Sequence, residues 1–433
     1  MTVEETKLQI LGELELARSR TERLINSLSD TQLDAPYHPG VNPPLWEMGH
    51  SAFFYEVFVF KLLDGTVSYN PAMDDLWDSF HVQHRDRWRR DLFPGREDTL
   101  QYFNTVYDRV AERIRRYELT DQALYLYRYA IFHQNMHIES LIWCRQTVGY
   151  PAPPDFQGDR PAPGEGVAGD VEVPAGRWVM GMPDASEAFA AEDFAFDAEK
   201  PRFEVELPGF VISRLLVTNR EFQAFVDDSG YQRPELWSFG GRQWLASAAE
   251  HPVYWRCHEG QWQARLFDRW LPLNPDAPVT HVSYWEAEAW CRWAGRRLPT
   301  EYEWEVAALG NRPGEVFQRY PWGNEAPDGS RVDMNGRSMA WNPVFDYPAG
   351  ESPFGCRQML GSVWEWTSDQ FLPYDGFKVD IYPFMSTLQF GDHKVTRGGS
   401  CATTSSLIRG TYRQAYLPQR SDVFTGFRTC ALR

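Results

Sequence analysis

A chain of 433 residues is long enough for two or three domains, and its 43% hydrophobic and 24% charged residues are ordinary for a globular protein that buries a large core. Its 43 basic residues against 60 acidic ones give a net charge of −17, which argues against nucleic acid and anionic membranes as partners, because both attract basic surfaces. No basic start precedes an apolar run, no stretch is apolar enough to span a bilayer, and the six cysteines are scattered without CxxC spacing; the expectation is a cytoplasmic protein with reduced thiols.

Residues 1–150 read as helical. "VEETKLQILGELELARSRTERLINSLS" repeats Leu and Ile at helical spacing, and "PPLWEMGHSAFFYEVFVFKLLDG" starts after prolines and stops at a glycine. "REDTLQYFNTVYDRVAERIRRYE" sets apolar positions three and four apart with charges opposite, and "TDQALYLYRYAIFHQNMHIESLIWCRQTVG" runs from a Thr cap to Gly149. Four such helices predict an up-down bundle. Residues 151–169, "PAPPDFQGDRPAPGEGVAG", are rich in Pro and Gly and predict a linker. From 170 to 433 short β-like runs alternate with loops and two helical pieces, so the second domain is predicted to be mixed α+β.

The last bundle helix carries His133 and His137. Each helical residue advances by ~100°, so positions four apart differ by only ~40° and present two imidazoles on one face, the spacing of helical metal sites. Glu139 lies ~240° from His133 by the same arithmetic and is left to orient a neighbour or to sit at the bundle surface. A third ligand must come from another helix, and His50 in "WEMGHSAFF" is the best candidate in an apolar helical setting. The plainer alternative is a pair of satisfied core histidines. His81 and His84 in "SFHVQHRDRW" form a rival pair, but their polar, Arg-rich surroundings suit a surface or substrate contact. Three neutral imidazoles leave coordination positions open, which suits catalysis, and spacing alone does not choose between zinc and iron(II).

The second domain contains, in order, "VPAGRWVMG", "EKPRFEVELPGFVISRLLVTNREFQAFVDDSGY", "PVTHVSYWEAEAWCRWAGRRLPTEYEWEVAA", "YPWGNE", "SPFGCRQMLGSVWEWTSD", "RGGS" and "TGFR". This series resembles the formylglycine-generating-enzyme/sulfatase-modifying domain, a variant of the C-type lectin fold. The bundle segments "PPLWEMGH" and "HQNMHIES" resemble the DinB-like four-helix bundle of the ergothioneine-pathway sulfoxide synthases. The two resemblances together span about the whole chain. They imply an iron(II)- and oxygen-dependent enzyme that joins sulfur or selenium to the imidazole of a histidine derivative. They place the iron ligands at His50, His133 and His137. They place the catalytic tyrosine at Tyr382 in "DIYPF", with Tyr374 as a nearby competitor, and its implied task is to deliver a proton or hydrogen atom during the oxygen chemistry.

Three departures from the family pattern bear on the substrate. Met136 stands where the family carries Gln. The C-terminal run "YRQAYLPQR" has Gln414 and Tyr416 ahead of Arg420, so that Tyr416 replaces the acid that would hold an ammonium group. Met385 stands where a second tyrosine is common. These changes imply a donor without an α-amino acid head and point to the selenoneine synthases, which join a selenosugar to hercynine, the trimethylated histidine betaine; cysteine or γ-glutamylcysteine is the alternative donor. An aromatic wall is expected for the quaternary ammonium, and 18 Trp offer one. Arg87 and Arg90, in "HRDRWRRDLFPGR", are candidates for a substrate carboxylate, against a plain solvated loop. A formylglycine-generating oxidase would need two cysteines soon after "RGGS", where only Cys401 stands, and a lectin-like binding module would not need the histidines.

Overall fold

The computed structural model describes residues 2–158, 160–183, 194–248, 250–382 and 385–433. The chain divides into two compact units, one formed by residues up to Pro154 together with Phe194, the other by the rest from Asp155.

The first unit is the helical bundle that the periodicity predicts. Helix α1 (Val3–Asn26) opens on a Thr2–Glu5 capping box and buries Ile10, Leu14, Ala17, Leu24 and Ile25 at helical spacing. Helix α2 (Pro44–Tyr55) starts with proline in its first turn and passes directly into a π-helical stretch, Glu56–Leu63. A single turn, α3 (Asp74–Trp77), precedes α4 (Arg96–Arg116), whose buried face is Tyr102, Phe103, Val106, Tyr107, Val110 and Ile114. Helix α5 (Asp121–Val148) is capped by Thr120, which accepts from the Ala123 amide, and ends at Gly149 with φ 74°, a left-handed turn that favours glycine. Unlike α1 and α4, helices α2 and α5 are buried on almost all sides, so neither has a broad solvated face. Phe194 completes the unit, its ring lying against Tyr125, Tyr129 and Phe132.

The second unit is α+β. It comprises β1 (Asp170–Val173), β2 (Gly176–Met180), β3 (Phe203–Leu207), β4 (Phe210–Ser213), α6 (Asn219–Asp227), α7 (Phe239–Leu245), β5 (Trp255–His258), β6 (Gln261–Leu266), β7 (Arg269–Pro272), α8 (Tyr284–Trp293), β8 (Arg296–Arg297), α9 (Glu301–Leu309), β9 (Trp364–Gln370), β10 (Lys394–Arg397), β11 (Arg413–Tyr416), β12 (Thr425–Gly426) and β13 (Cys430–Ala431). Two four-stranded sheets, in the orders β1-β4-β13-β8 and β11-β10-β9-β12, are joined by the β2-β3 hairpin and a β5-β6-β7 meander. So few regular residues cannot make the core alone. Trp178, Trp304, Trp364 and Trp366 fill it. Buried ion pairs tie the loops to it: Arg428 with Glu365, Arg409 with Glu199, and Arg397 with Glu301 and Glu305.

The Pro/Gly-rich segment behaves differently from a free linker. The amides of Gln157 and Gly158 donate to the Arg337 carbonyl, Arg160 pairs with Asp346 at 2.5 Å, and the Tyr347 amide donates to Ala162. An alanine at Gly164 would bring its Cβ to 2.2 Å from the Phe345 carbonyl oxygen, so glycine is what lets this strap lie flat. Composition identified the absence of regular structure there, and the backbone hydrogen bonds supply the order.

Candidate metal centre

Helix α5 runs without Gly or Pro from Asp121 to Val148, so the four-residue spacing of His133 and His137 becomes a shared face. Helix α2 contributes His50. The three imidazoles converge, with one potential ligand nitrogen from each lying within 4.8 Å of the others. His133 and His137 turn their Nε2 atoms towards each other at 3.2 Å.

Hydrogen bonds at the far side of two rings define their tautomers. His50 Nδ1 lies 2.6 Å from the Trp77 carbonyl, which can only accept, so Nδ1 carries the proton and Nε2 the lone pair. His137 Nδ1 is hydrogen-bonded to the Glu47 carboxylate, which leaves its Nε2 as a lone pair in the same way. The Nδ1 of His133 is buried without a hydrogen-bond partner among the described residues. Burial holds His50 and His133 well below the usual imidazole range, and the nearby His137 reinforces the shift. Neutral imidazoles with converging lone pairs repel one another unless a cation lies between them. The donor set therefore fits a metal ion, and its nitrogen chemistry suits zinc or iron.

The surroundings explain how the rings stay in place. Trp46 stacks on His50 at 4.6 Å between centroids, and Phe54 stacks on His133 at 3.9 Å. A Cβ at Gly49 would stand 2.4 Å from the Trp77 ring, so glycine permits the approach that delivers the Trp77 carbonyl to His50. Glu47 is 1% exposed and accepts from Asn42 Nδ2 at 2.6 Å and Ser140 Oγ at 2.9 Å as well as from His137. Burial alone would raise its carboxyl, but His137 and the hydrogen bonds from His137 and Asn42 pull it down to about 2. The carboxylate thus stays ionised behind the ligand it orients.

Glu47 escaped the sequence reading although it stands three residues before His50 in "WEMGH". The signal was an acid one turn from a ligand histidine on an otherwise apolar helix. The other residues singled out in the sequence fall as follows. Met136 is half-buried on α5 next to His137. Arg87 stacks on Trp46 at 4.1 Å and donates to Asn42 Oδ1 at 2.7 Å and to the Ser79 carbonyl at 3.1 Å. Arg90 is exposed and pairs with Asp34. His81 pairs with Asp78, and His84 Nε2 bonds the Val41 carbonyl, so the rival pair stands outside the cluster. Glu139 is buried, which removes the surface alternative for it.

In the second unit, Tyr382 is half-buried in the loop between β9 and β10; Pro383 and Phe384 lie outside the described residues. Its competitor Tyr374 is buried, with its hydroxyl 3.3 Å from Glu301 and 3.5 Å from Arg397, an engaged structural position. Gln414 Oε1 accepts from the Ala415 amide, and Tyr416 is buried edge-on to Trp364 and Trp366. Arg420 forms a bidentate pair with Asp422 at 2.6 and 2.7 Å. Asp422, two residues beyond the motif, was not anticipated, and it puts an acid beside Arg420.

A family model described as the sulfatase-modifying factor enzyme 1-like domain matches residues 158–432, and one described as the DinB superfamily matches residues 13–141. The hercynine oxygenase of Mycolicibacterium smegmatis is 34% identical over 432 residues, 97% of each chain. That of Mycobacterium tuberculosis is 34% identical over 428 residues, 97% of this chain and 98% of its own. A formylglycine-generating enzyme of Thermomonospora curvata is 33% identical over 321 residues, 98% of its own length but 64% of this chain. None of the described residues forms a helix long and apolar enough to cross a membrane. The formylglycine-generating likeness stops at part of the chain, whereas the other runs through the helices that bring the three histidines together as well as through the domain that follows: the chain belongs to the hercynine oxygenase family and is an oxidoreductase.

Proposed function

We propose that this protein is a non-haem iron(II) enzyme that uses oxygen to bond sulfur to the imidazole of hercynine, with cysteine or γ-glutamylcysteine as donor. The observation that carries this reading is the buried three-imidazole cluster in a chain similar to hercynine oxygenases over 97% of its length. The relatives favour this sulfur reading over the selenosugar reading that the sequence departures suggest. Bound iron would supply affinity for oxygen and for a thiolate, together with one-electron chemistry. The chain's own residues do the rest. His50, His133 and His137 would hold the metal through nitrogens, and as neutral ligands they would leave its positive charge available to anionic ligands. Trp46 and Phe54 pack against two of the rings and keep them from turning. Tyr382 is assigned proton delivery on the family resemblance, and its hydroxyl suits that role through general-acid chemistry.

A selenosugar donor is the second reading. It is favoured by Tyr416, a buried neutral residue in place of an acid, and by Met136 in place of an amide. Aerobic incubation of the iron(II) protein with hercynine and each of cysteine, γ-glutamylcysteine, a thiosugar and a selenosugar decides the matter by mass spectrometry. A sulfoxide from an amino-acid thiol is the expected product. A conjugate from the selenosugar alone would replace the first reading by the second, and no hercynine conjugate with any donor would sink both.

A further inference from the structure

The loop that carries Tyr382 runs from β9 to β10 and is fastened to a buried turn, Asp197–Glu199. The turn has two faces. On one, Glu199 receives Arg409 Nε at 2.8 Å and Thr411 Oγ1 at 2.9 Å, and the Ala198 carbonyl receives Arg413 Nη1 of β11 at 2.6 Å. On the other, the fully buried Asp197 accepts the Ser386 hydroxyl at 2.9 Å and the Ala198 amide at 2.7 Å. The backbone of Asp380 hydrogen-bonds to the same carboxylate. Asp380 precedes Tyr382 and Ser386 follows it, so one carboxylate joins the two limbs of the loop on either side of the tyrosine. Lys200, next after the turn, reinforces the first limb, its Nζ lying 3.3 Å from Asp380 Oδ2. Asp380 Oδ1 accepts the Ile381 amide at 2.8 Å, and the Tyr382 carbonyl accepts the Met385 amide at 3.2 Å.

The buried acids of this unit differ in their partners. Glu199, Glu301 and Glu365 each meet a guanidinium. Asp197 is held by a hydroxyl and by backbone groups, which direct its oxygens without balancing its charge. Burial, joined by the nearby Asp380 carboxylate, raises its carboxyl above the ordinary range against the pull of those hydrogen bonds. We propose that Asp197 is a positioning residue for Tyr382, with Ser386 as its partner: the two clasp the loop and hold the backbone at the tyrosine in one pose. The proposal rests on the assignment of proton delivery to Tyr382. A proton donor acts only within hydrogen-bond reach of its acceptor, so a displacement of about 1 Å costs up to about 10²-fold.

The test measures product formed per oxygen consumed by the full-length iron(II) protein, with hercynine and the donor that the mass-spectrometric panel identifies. Asp197→Ala is expected to lower this ratio about 10-fold, and Asp197→Asn and Ser386→Ala about 3- to 10-fold. Asp392→Asn, an exposed change on the same loop, is expected to leave it unaltered. A merely structural role would lower product and oxygen consumption together and leave the ratio as it was, which would overturn the proposal. In a Tyr382→Phe background, Ser386→Ala and Asp197→Asn are expected to add no further loss, because the clasp acts through the tyrosine; additive losses would overturn it. A second readout needs neither metal nor turnover. Hydrogen exchange at the Ile381 and Met385 amides of the metal-free protein is expected to quicken about 10-fold in Ser386→Ala and to stay unchanged in Asp392→Asn. Ser386→Ala removes a single hydroxyl and carries the test if Asp197→Ala does not fold. Tyr382→Phe separates the two levels. A wild-type ratio there removes the tyrosine reading and the clasp with it. A lowered ratio there, with wild-type ratios in Asp197→Asn and Ser386→Ala, removes the clasp alone.

Discussion

Glu47 in the bundle and Glu301 in the second unit are both buried carboxylates, yet they keep different company. Glu301 accepts from Arg397 Nη1 and from Arg413 Nε and Nη2, Arg397 pairs with Glu305 as well, and the Tyr374 hydroxyl lies alongside. Glu47 meets Asn42, Ser140 and His137, and among the described residues no guanidinium or ammonium hydrogen-bonds to it. Behind His137 stand two more imidazoles that burial keeps neutral. The first arrangement is closed: its charges balance inside the protein, and its task is to hold loops together. The second is open, with a fixed negative charge and converging lone pairs that call for a cation from outside. Buried polar groups are therefore read best by whether their charges and lone pairs are already satisfied.

The contrast breaks most visibly at the histidines. His133→Ala or His137→Ala should abolish Fe(II) retention and turnover, measured by metal analysis of the purified protein and by product formation; a variant that stays loaded and active would remove the distinction. Next comes Glu301→Ala. It removes the carboxylate partner of the buried Arg413 and leaves Arg397 with Glu305, and should cost about 3–5 kcal/mol in chemical denaturation while leaving Fe(II) affinity as it was. The two tyrosines then divide along the same line. Tyr382→Phe should lower product yield by about 10²-fold while oxygen uptake continues, as loss of a proton donor would. Tyr374→Phe should leave the yield intact and lower stability by about 1–2 kcal/mol, because its partners are Glu301 and Arg397. Reversed outcomes would exchange the two roles.

The open site was partly legible in the sequence because helical arithmetic is local. His133 and His137 needed only an unbroken helix, and α5 provides one. His50 came from another helix, and nothing in its own spacing ties it to α5; its apolar helical setting made it the best candidate, and the family resemblance reinforced that link. Glu47 was passed over because an acid on a helix ordinarily marks the solvated face, and α2 has almost none. Asp422 was missed for a different reason: its partner Arg420 was read within a motif that ends before it. The strap from Gln157 shows the limit of composition. Pro and Gly exclude helix and strand, but they do not exclude backbone hydrogen bonds to a neighbouring loop such as those to Arg337. In the second unit, pattern identified α+β, while the buried Arg–Glu pairs join residues far apart in sequence, such as Arg409 and Glu199, and left no periodic trace.

A buried histidine in each unit sharpens the comparison at its smallest expected effect. His133 and His281 both have an Nδ1 without a hydrogen-bond partner among the described residues. His133 has two imidazoles converging on it. His281 has Tyr254 and Phe424 as ring neighbours, with Arg265 and Asp422 acting on it electrostatically. Burial, followed by the Arg265 charge, lowers His281 from its ordinary 6.5 to about 3, against the opposing pull of Asp422. The unfolded chain then binds a proton at this residue between those values and the folded chain does not. Stability is fully present above about pH 6.5 and is lost as pH falls towards 3. His281→Asn should flatten that part of the profile by about 2 kcal/mol between pH 7 and pH 5, asparagine being tolerant of the positive φ of 62° at this position. The flattening should be the same with and without Fe(II), because His281 answers to protons alone. Denaturation profiles of the metal-free and loaded protein at the two pH values check both statements, and an Fe(II)-dependent effect of His281→Asn would erase the difference between a histidine that is merely buried and one that belongs to a site.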